Sequence, residues 1–560
     1  MENEMTLNKI FDAYWSSALQ SSPCMATFYG VYDHNSELDS VGLKSGYKSQ
    51  KNLEKFYNQV KKVSENNLSS EEKISKQLFL DDVKNSREYM DMPSHHLALS
   101  QMGGVHTSFL QIAGVHPFRH KKDFEDYISR LKQFSKQVKQ VQRHLHRGVL
   151  RQWVVPTNIA LLVIDQTEKM ISHKVSDSQY FQVAFLKSSV LTKNEKSKIT
   201  KDLESAVNTH VNKALRQFVK YLRNTYLKFT RKSIGLCNLP DGDKYYSLKV
   251  KQNTSLDIAP DEIHEIGLKE VSRIHSEMSL IQKEIGFKGS LQEFFDHMRN
   301  NKELYYASRE EIVEHHTSLL KEMEKELPKY FSVLPQNPYE VKALPAYQEK
   351  NAPDAFYMPG DKKVDRAGVY FVNTYAPETR GKHNAEALAF HEAVPGHHLQ
   401  ISIAQELKGL PEFRKSTSET AYVEGWALYV EKLCQEMGFY KTPEAKFGKL
   451  SFEVWRASRL AVDTGIHFKG WTRQQAIDFM VENTCLSLSN IEVEVDRYIV
   501  MPGQALSYKM GEIFIFDLRK RLQDKHKDNF DLKKFHDEIL CHGALPLKIL
   551  ETVMMDMSFE

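Results

Sequence analysis

The stretch richest in chemistry is Ala389-Phe390-His391-Glu392-Ala393-Val394-Pro395-Gly396-His397-His398-Leu399-Gln400. In the helical motif His-Glu-x-x-His, two imidazoles one turn apart hold Zn²⁺ and the glutamate between them acts as general base. Here the fourth position after His391 is Pro395, which has no ligand atom, and the next imidazoles are His397 and His398. On a straight helix, a residue seven positions on returns almost to the starting face, roughly 10 Å along the axis, which favours His398. A two-residue bulge at Pro395-Gly396 would instead put His397 in the place of the usual second histidine. Proline removes a backbone donor and clashes with the preceding turn, and glycine lets the chain bend. The helix from Asn384 is therefore expected to run to Val394 and to be irregular before the second ligand.

A zinc ion needs a third protein ligand and an open position for water. Glu424 follows in Glu419-Thr-Ala-Tyr-Val-Glu-Gly-Trp-Ala-Leu-Tyr-Val-Glu431, far enough from His397 for one helix to end and a second to return. A carboxylate on so aromatic and small-residue a stretch needs a charged partner or a metal. Glu419 and Glu431 compete with it. Glu431 opens a charged stretch and is read as solvated.

The elements that must position these groups are mainly helical. Ile263, Ile266, Val271, Ile274, Met278, Ile281 and Ile285 mark one face of a long helix begun by Pro260-Asp261-Glu262. Asp123–His146 and Glu195–Tyr226 read the same way. The histidines of this first part (His95, His96, His106, His116, His210) are read as packing or surface groups. The clearest strand is Gly368–Thr374, preceded by a proline- and glycine-containing stretch from Leu344 to Asp361. The chain is accordingly divided into an N-terminal helical part, 1–355, and a metal-bearing part, 356–560.

Composition narrows the function classes. The 560 residues are 41% apolar and 27% charged, and 76 basic against 73 acidic residues give a net charge of +3. So balanced a chain offers no electrostatic case for nucleic acid or an anionic membrane. No apolar run approaches a membrane span, and Met-Glu-Asn-Glu-Met-Thr lacks the features of a signal peptide. A cytoplasmic location is the expectation. The five cysteines are scattered and never spaced as Cys-x-x-Cys, which argues against disulfides and a cysteine zinc site. The sequons at Asn67 and Asn253 are read as chance.

His-Glu-x-x-Pro-Gly-His-His-x-Gln followed by Glu-Gly-Trp-Ala-Leu-Tyr resembles the large, mainly bacterial family called domain of unknown function 885. The likeness extends to Phe124–Leu131, Ala259–Leu268, Arg459–His467, Glu494–Tyr508 and Gly543–Leu547. The family in turn looks distantly similar to helical zinc peptidases such as thimet oligopeptidase, carboxypeptidase Taq, the angiotensin-converting enzymes and dipeptidyl peptidase III.

The resemblance implies a mainly α, two-lobed fold with a small β-sheet bordering a deep cleft that admits short peptides. It also favours His397, because in those peptidases glycine often directly precedes the second zinc histidine. One zinc ion would then sit on His391, His397 and Glu424, with Glu392 as base. Relatives draw the oxyanion donor from a C-terminal segment, where His467, Arg497, Tyr498 and Tyr508 stand, with Tyr498 and His467 ranked first. Arg497 could hold a substrate carboxylate, and Tyr508, His398 and Asn373 are further candidate substrate contacts. The Gly368–Thr374 strand could pair with an extended substrate or be an ordinary core strand, and Asp463 could orient His467 or cap a helix. Rival readings are an enzyme of non-peptide amides and a binding protein that keeps the fold without catalysis.

Overall fold

Phe124, Tyr127, Leu131, Phe134, Val138, Val141 and Leu145 recur every three or four residues along α1 (Lys121–Arg151), and all are buried. That apolar stripe makes this a helix, as the periodicity predicts. It packs with Ile199 and Leu203 of α2 (Lys193–Ala206) and Leu215, Phe218 and Leu222 of α3 (Lys213–Asn224). Between α2 and α3, Val207–Asn212 winds as a π-helix, so the single predicted helix is continuous but locally widened. Each large apolar side chain in such a core contributes about 1.5–3 kcal/mol. Phe134→Ala would remove about 3–5 kcal/mol.

The computed structural model describes residues 6–345, 349, 352–360, 366–416 and 419–559. The fold is mainly helical with one small sheet. It divides into two compact units: Met1–Leu68 with Phe79–Gly242, and Ser69–Leu78 with Asp243–Glu560. Among the described residues no helix is long and apolar enough to cross a membrane.

The second unit carries the predicted chemistry. Its helices include α4 (Pro260–Ile285), α5 (Ala385–Glu392), α6 (His397–Glu406), α7 (Thr420–Glu436), α8 (Pro443–His467), α9 (Leu488–Val500) and α10 (Ser507–His526). Proline at the start of α4 and Asp261 and Glu262 in its first turn suit the exposed N–H groups there. Gly286, in the left-handed conformation, ends it. Val271, Ile274, Met278 and Ile281 of α4 pack against Phe447, Leu450, Val454 and Ala457 of α8. The second unit takes up the chain again at Asp243, while the division read from sequence falls at 355.

Among the described residues the sheet has three strands in the order β1 (Tyr339–Ala343), β3 (Gly368–Val372), β2 (Ala355–Met358). β3 runs parallel to β1 and antiparallel to β2, with Tyr357 opposite Tyr370. The strand expected to offer a pairing edge therefore has both edges taken, and the outer edges belong to β1 and β2. Only β3, nearly all buried, reads clearly as a strand in the sequence. Residues 346–348, 350, 351 and 361 of the preceding stretch lie outside the described residues.

Candidate metal centre

The first helix of the motif ends earlier than predicted, at Glu392. Ala393 and Gly396 leave helical geometry, and α6 begins at His397. The backbone closes over the break: His398 N donates to Ala393 O at 3.0 Å and Gln400 N to Gly396 O at 3.0 Å. Position 396 admits only glycine, because a Cβ there would lie 1.9 Å from the carbonyl oxygen of His391. Trp426 of α7 donates its indole N–H to Pro395 O at 3.0 Å, tying the break to the next helix. The Pro-Gly insertion thus doubles the chain back and places His397 beside His391.

Nε2 of His391 and Nε2 of His397 lie 3.6 and 3.5 Å from the same oxygen, Oε2 of Glu424 on α7. The two imidazole rings are 4.7 Å apart and nearly perpendicular. One donor atom from each of the three residues falls within 4.8 Å of the other two. Glu424 Oε2 is buried and accepts no hydrogen bond. A tetrahedral zinc at about 2.0–2.2 Å from its ligands sets ligand atoms about 3.4 Å apart, so the three groups fit the ion as they stand. His391 is buried, which opposes its charge, yet Glu424 and Glu431 outweigh burial and raise it to about 9. Burial also opposes charge on Glu424, and its two imidazole neighbours nevertheless hold it well below the usual carboxylate range.

His398 faces the other way. It is buried, its Nδ1 shares a hydrogen bond with the Tyr357 hydroxyl at 2.9 Å, and its ring packs 4.5 Å from that of Tyr339. Burial pushes it down to about 4. The straight-helix spacing that favours His398 does not apply, because the helix breaks between Glu392 and His397.

Three supports surround the ligands. Glu431 is buried rather than solvated, and its Oε1 accepts from His391 Nδ1 at 2.7 Å. It also accepts from Arg456 of α8 at 3.3 Å. A carboxylate there fixes the ring orientation and raises ligand basicity. The sequence held a sign of this: Glu431 stands seven positions after Glu424, almost on the same helical face. Glu392, half-buried, accepts at Oε2 from the backbone N–H of Tyr357 in β2 at 2.9 Å. No sequence signal marks a backbone donor from so remote a strand. Finally, α7 and α10 touch backbone to backbone where Gly425 meets Gly511, since a Cβ on Gly425 would lie 2.6 Å from Gly511 Cα. That contact brings Tyr508, one turn before Gly511, close enough to feel Glu424. Burial first, then the Glu424 charge, raise the Tyr508 phenol.

The remaining nominated residues are engaged elsewhere. Tyr498 is fully buried; its hydroxyl donates to Glu494 at 2.7 Å and accepts from Arg459 at 3.1 Å and Trp455 at 3.3 Å. Arg497 spends its N–H groups on Glu494 and Gln504. His467 Nε2 meets the backbone carbonyl of Tyr498 at 2.9 Å. Asp463 accepts from the Tyr246 hydroxyl and from Gly503 N–H. Asn373 donates to the carbonyls of Glu349, Ala352 and Pro353.

A family model described as a bacterial protein of unknown function (DUF885) matches residues 23–554. Two solved structures, each described as a "putative lipoprotein", are similar to the chain. That from Colwellia psychrerythraea is 27% identical, with a TM-score of 0.92 over 98% of both chains. That from Shewanella oneidensis, described as of unknown function, is 18% identical, with a TM-score of 0.78 over 98% of this chain and 100% of the other. No curated protein matches.

Proposed function

This chain belongs to the DUF885 family, and on that premise we propose that it is a zinc-dependent hydrolase that cleaves amide bonds of short peptides. The observation that carries the reading is the convergence of His391, His397 and Glu424 on one point, with Glu424 Oε2 buried and unbonded. A buried carboxylate oxygen with no hydrogen bond is costly unless a ligand completes it. Zinc on these residues would bring an activated water, with a pKa near about 7, and a Lewis acid for a carbonyl.

The chain's own groups supply the rest. Glu392 takes a proton from water and returns it to the leaving amine. Its Oε2 is anchored on Tyr357 N–H, which leaves Oε1 for that transfer. Tyr508 is the preferred donor to the developing oxyanion, because it stands one turn from Gly511, which touches Gly425 beside Glu424, while Tyr498 is held by three partners. The edge strand β2 runs beside Glu392, so an extended backbone laid along it would bring its carbonyl to the base; this favours a peptide. A two-lobed peptidase-like cleft and a cytoplasmic location belong to this same proposal.

Metal analysis of the purified chain with a digest of a mixed short-peptide library tests it. The expected result is zinc at His391, His397 and Glu424 together with peptide cleavage that Glu392→Gln abolishes. Absence of bound zinc would sink the reading, and zinc without peptide cleavage would move it to a non-peptide amide.

A further inference from the structure

The first unit contains a second cluster of imidazoles, His95, His96 and His144. His95 and His96 form one short turn with Ser94, and His144 comes from α1. One ring nitrogen of each falls within 4.8 Å of the other two. The His95 ring lies 4.1 Å from that of His96 and 5.0 Å from that of His144.

These rings are not merely stacked. His96 is 1% exposed, and both its nitrogens are buried without a hydrogen-bond partner. His144 Nε2 lies 2.6 Å from the carbonyl oxygen of Val41, so Nε2 carries the proton. Nδ1 of His144 is then a lone-pair nitrogen, and it too is buried without a partner. An imidazole whose far nitrogen is fixed by a carbonyl is the arrangement that prepares a metal ligand. His95, which is exposed, closes the cluster on the solvent side. The guanidiniums of Arg147 and Arg151 lie near enough to act electrostatically on His95 and His96.

We propose that His95, His96 and His144 form a second metal site, for a divalent first-row ion of the imidazole-seeking class, zinc, nickel or copper. Three neutral nitrogen donors suit those ions and offer nothing to calcium or magnesium, which take oxygen. Arg147 and Arg151 oppose a cation electrostatically, so the site holds its ion by coordination rather than by charge. Solvent at His95 gives the ion an entry path and leaves room for a water. The site is independent of the hydrolase reading, since it shares no residue with it.

The test uses the full chain with His391→Ala and His397→Ala, stripped with chelator and titrated with Zn²⁺, and metal content is measured after desalting. One zinc per chain is expected. Adding His95→Ala, an exposed position whose loss leaves the core intact, should weaken binding by more than the roughly 10–100-fold that an outer partner of a ligand is worth. In the otherwise unaltered chain, His95→Ala should lower zinc content by one ion, which serves if the double variant folds poorly. Equal zinc content and affinity with and without His95 would overturn the site.

Discussion

Two buried polar regions of the second unit were both nominated by sequence, and they end differently. Around Glu494 on α9 most of the groups satisfy one another, with Arg459 Nη1 left as a buried donor without a partner. Arg459, Arg497 and Tyr498 all converge on its carboxylate, and His467 is taken up by the Tyr498 carbonyl. Around Glu424 on α7 they do not: Glu424 Oε2 and His397 Nδ1 are buried with no hydrogen bond, and the nearest imidazole nitrogens stand at 3.5 and 3.6 Å. A closed set of partners is what a structural network needs. An open set that converges on one point is what a ligand completes. Residue type alone, tyrosine, histidine or arginine, does not separate the two; the convergence of three potential ligand atoms on one point does.

Variants can break that contrast. The largest effect is expected at Glu392→Gln, with turnover down by roughly 10²–10⁴-fold and zinc content unchanged. Activity assays and metal analysis on one preparation check both halves. Next comes Tyr508→Phe, where loss of the oxyanion donor should lower kcat by about 10²–10³-fold. Tyr498→Phe should stay within tenfold of wild type, and if the two tyrosines exchanged effects the contrast would fail. Third, Glu431→Gln should weaken zinc about 10–100-fold in a chelator competition while the fold is kept. Fourth, Tyr498→Phe should destabilise the chain by about 1–3 kcal/mol in denaturant titration, because buried donors of Arg459 and Trp455 lose an acceptor.

The smallest effect concerns acid. Burial opposes charge on Glu494, but Arg459 and Arg497 outweigh it and lower its carboxyl to about 2. A carboxyl depressed in the folded state adds stability that is complete above its unfolded value of about 4.5 and lost as pH falls toward 2. Unfolding midpoints measured between pH 6 and pH 2 should thus fall less steeply for Glu494→Gln than for wild type. Parallel curves would show that the network is not closed by charge.

The sequence disclosed the open region better than the closed one. His391 and Glu392 are legible as a helical motif, whereas spacing alone leaves His397 and His398 open and only the family resemblance prefers His397. Glu424 is legible because a lone carboxylate on an aromatic stretch demands a partner. Glu431 was misread from its charged neighbours, although its spacing from Glu424 put both on one helical face. The long helices at 121–151 and 260–285 follow directly from apolar spacing. Partners contributed by distant backbone, such as Tyr357 N–H to Glu392 or the Tyr498 carbonyl to His467, leave no mark on composition or period. The same is true of the sheet order, which made a central strand look like an edge, and of the grouping of residues 243–355 with the metal-bearing part.

The most direct measurement is a crystal structure of the zinc-saturated chain with anomalous data at the zinc absorption edge. The account predicts an anomalous peak at about 2.0–2.2 Å from Nε2 of His391, Nε2 of His397 and a carboxylate oxygen of Glu424. A zinc-saturated crystal with no peak between those three residues, or with the ion on His398 instead, would contradict it.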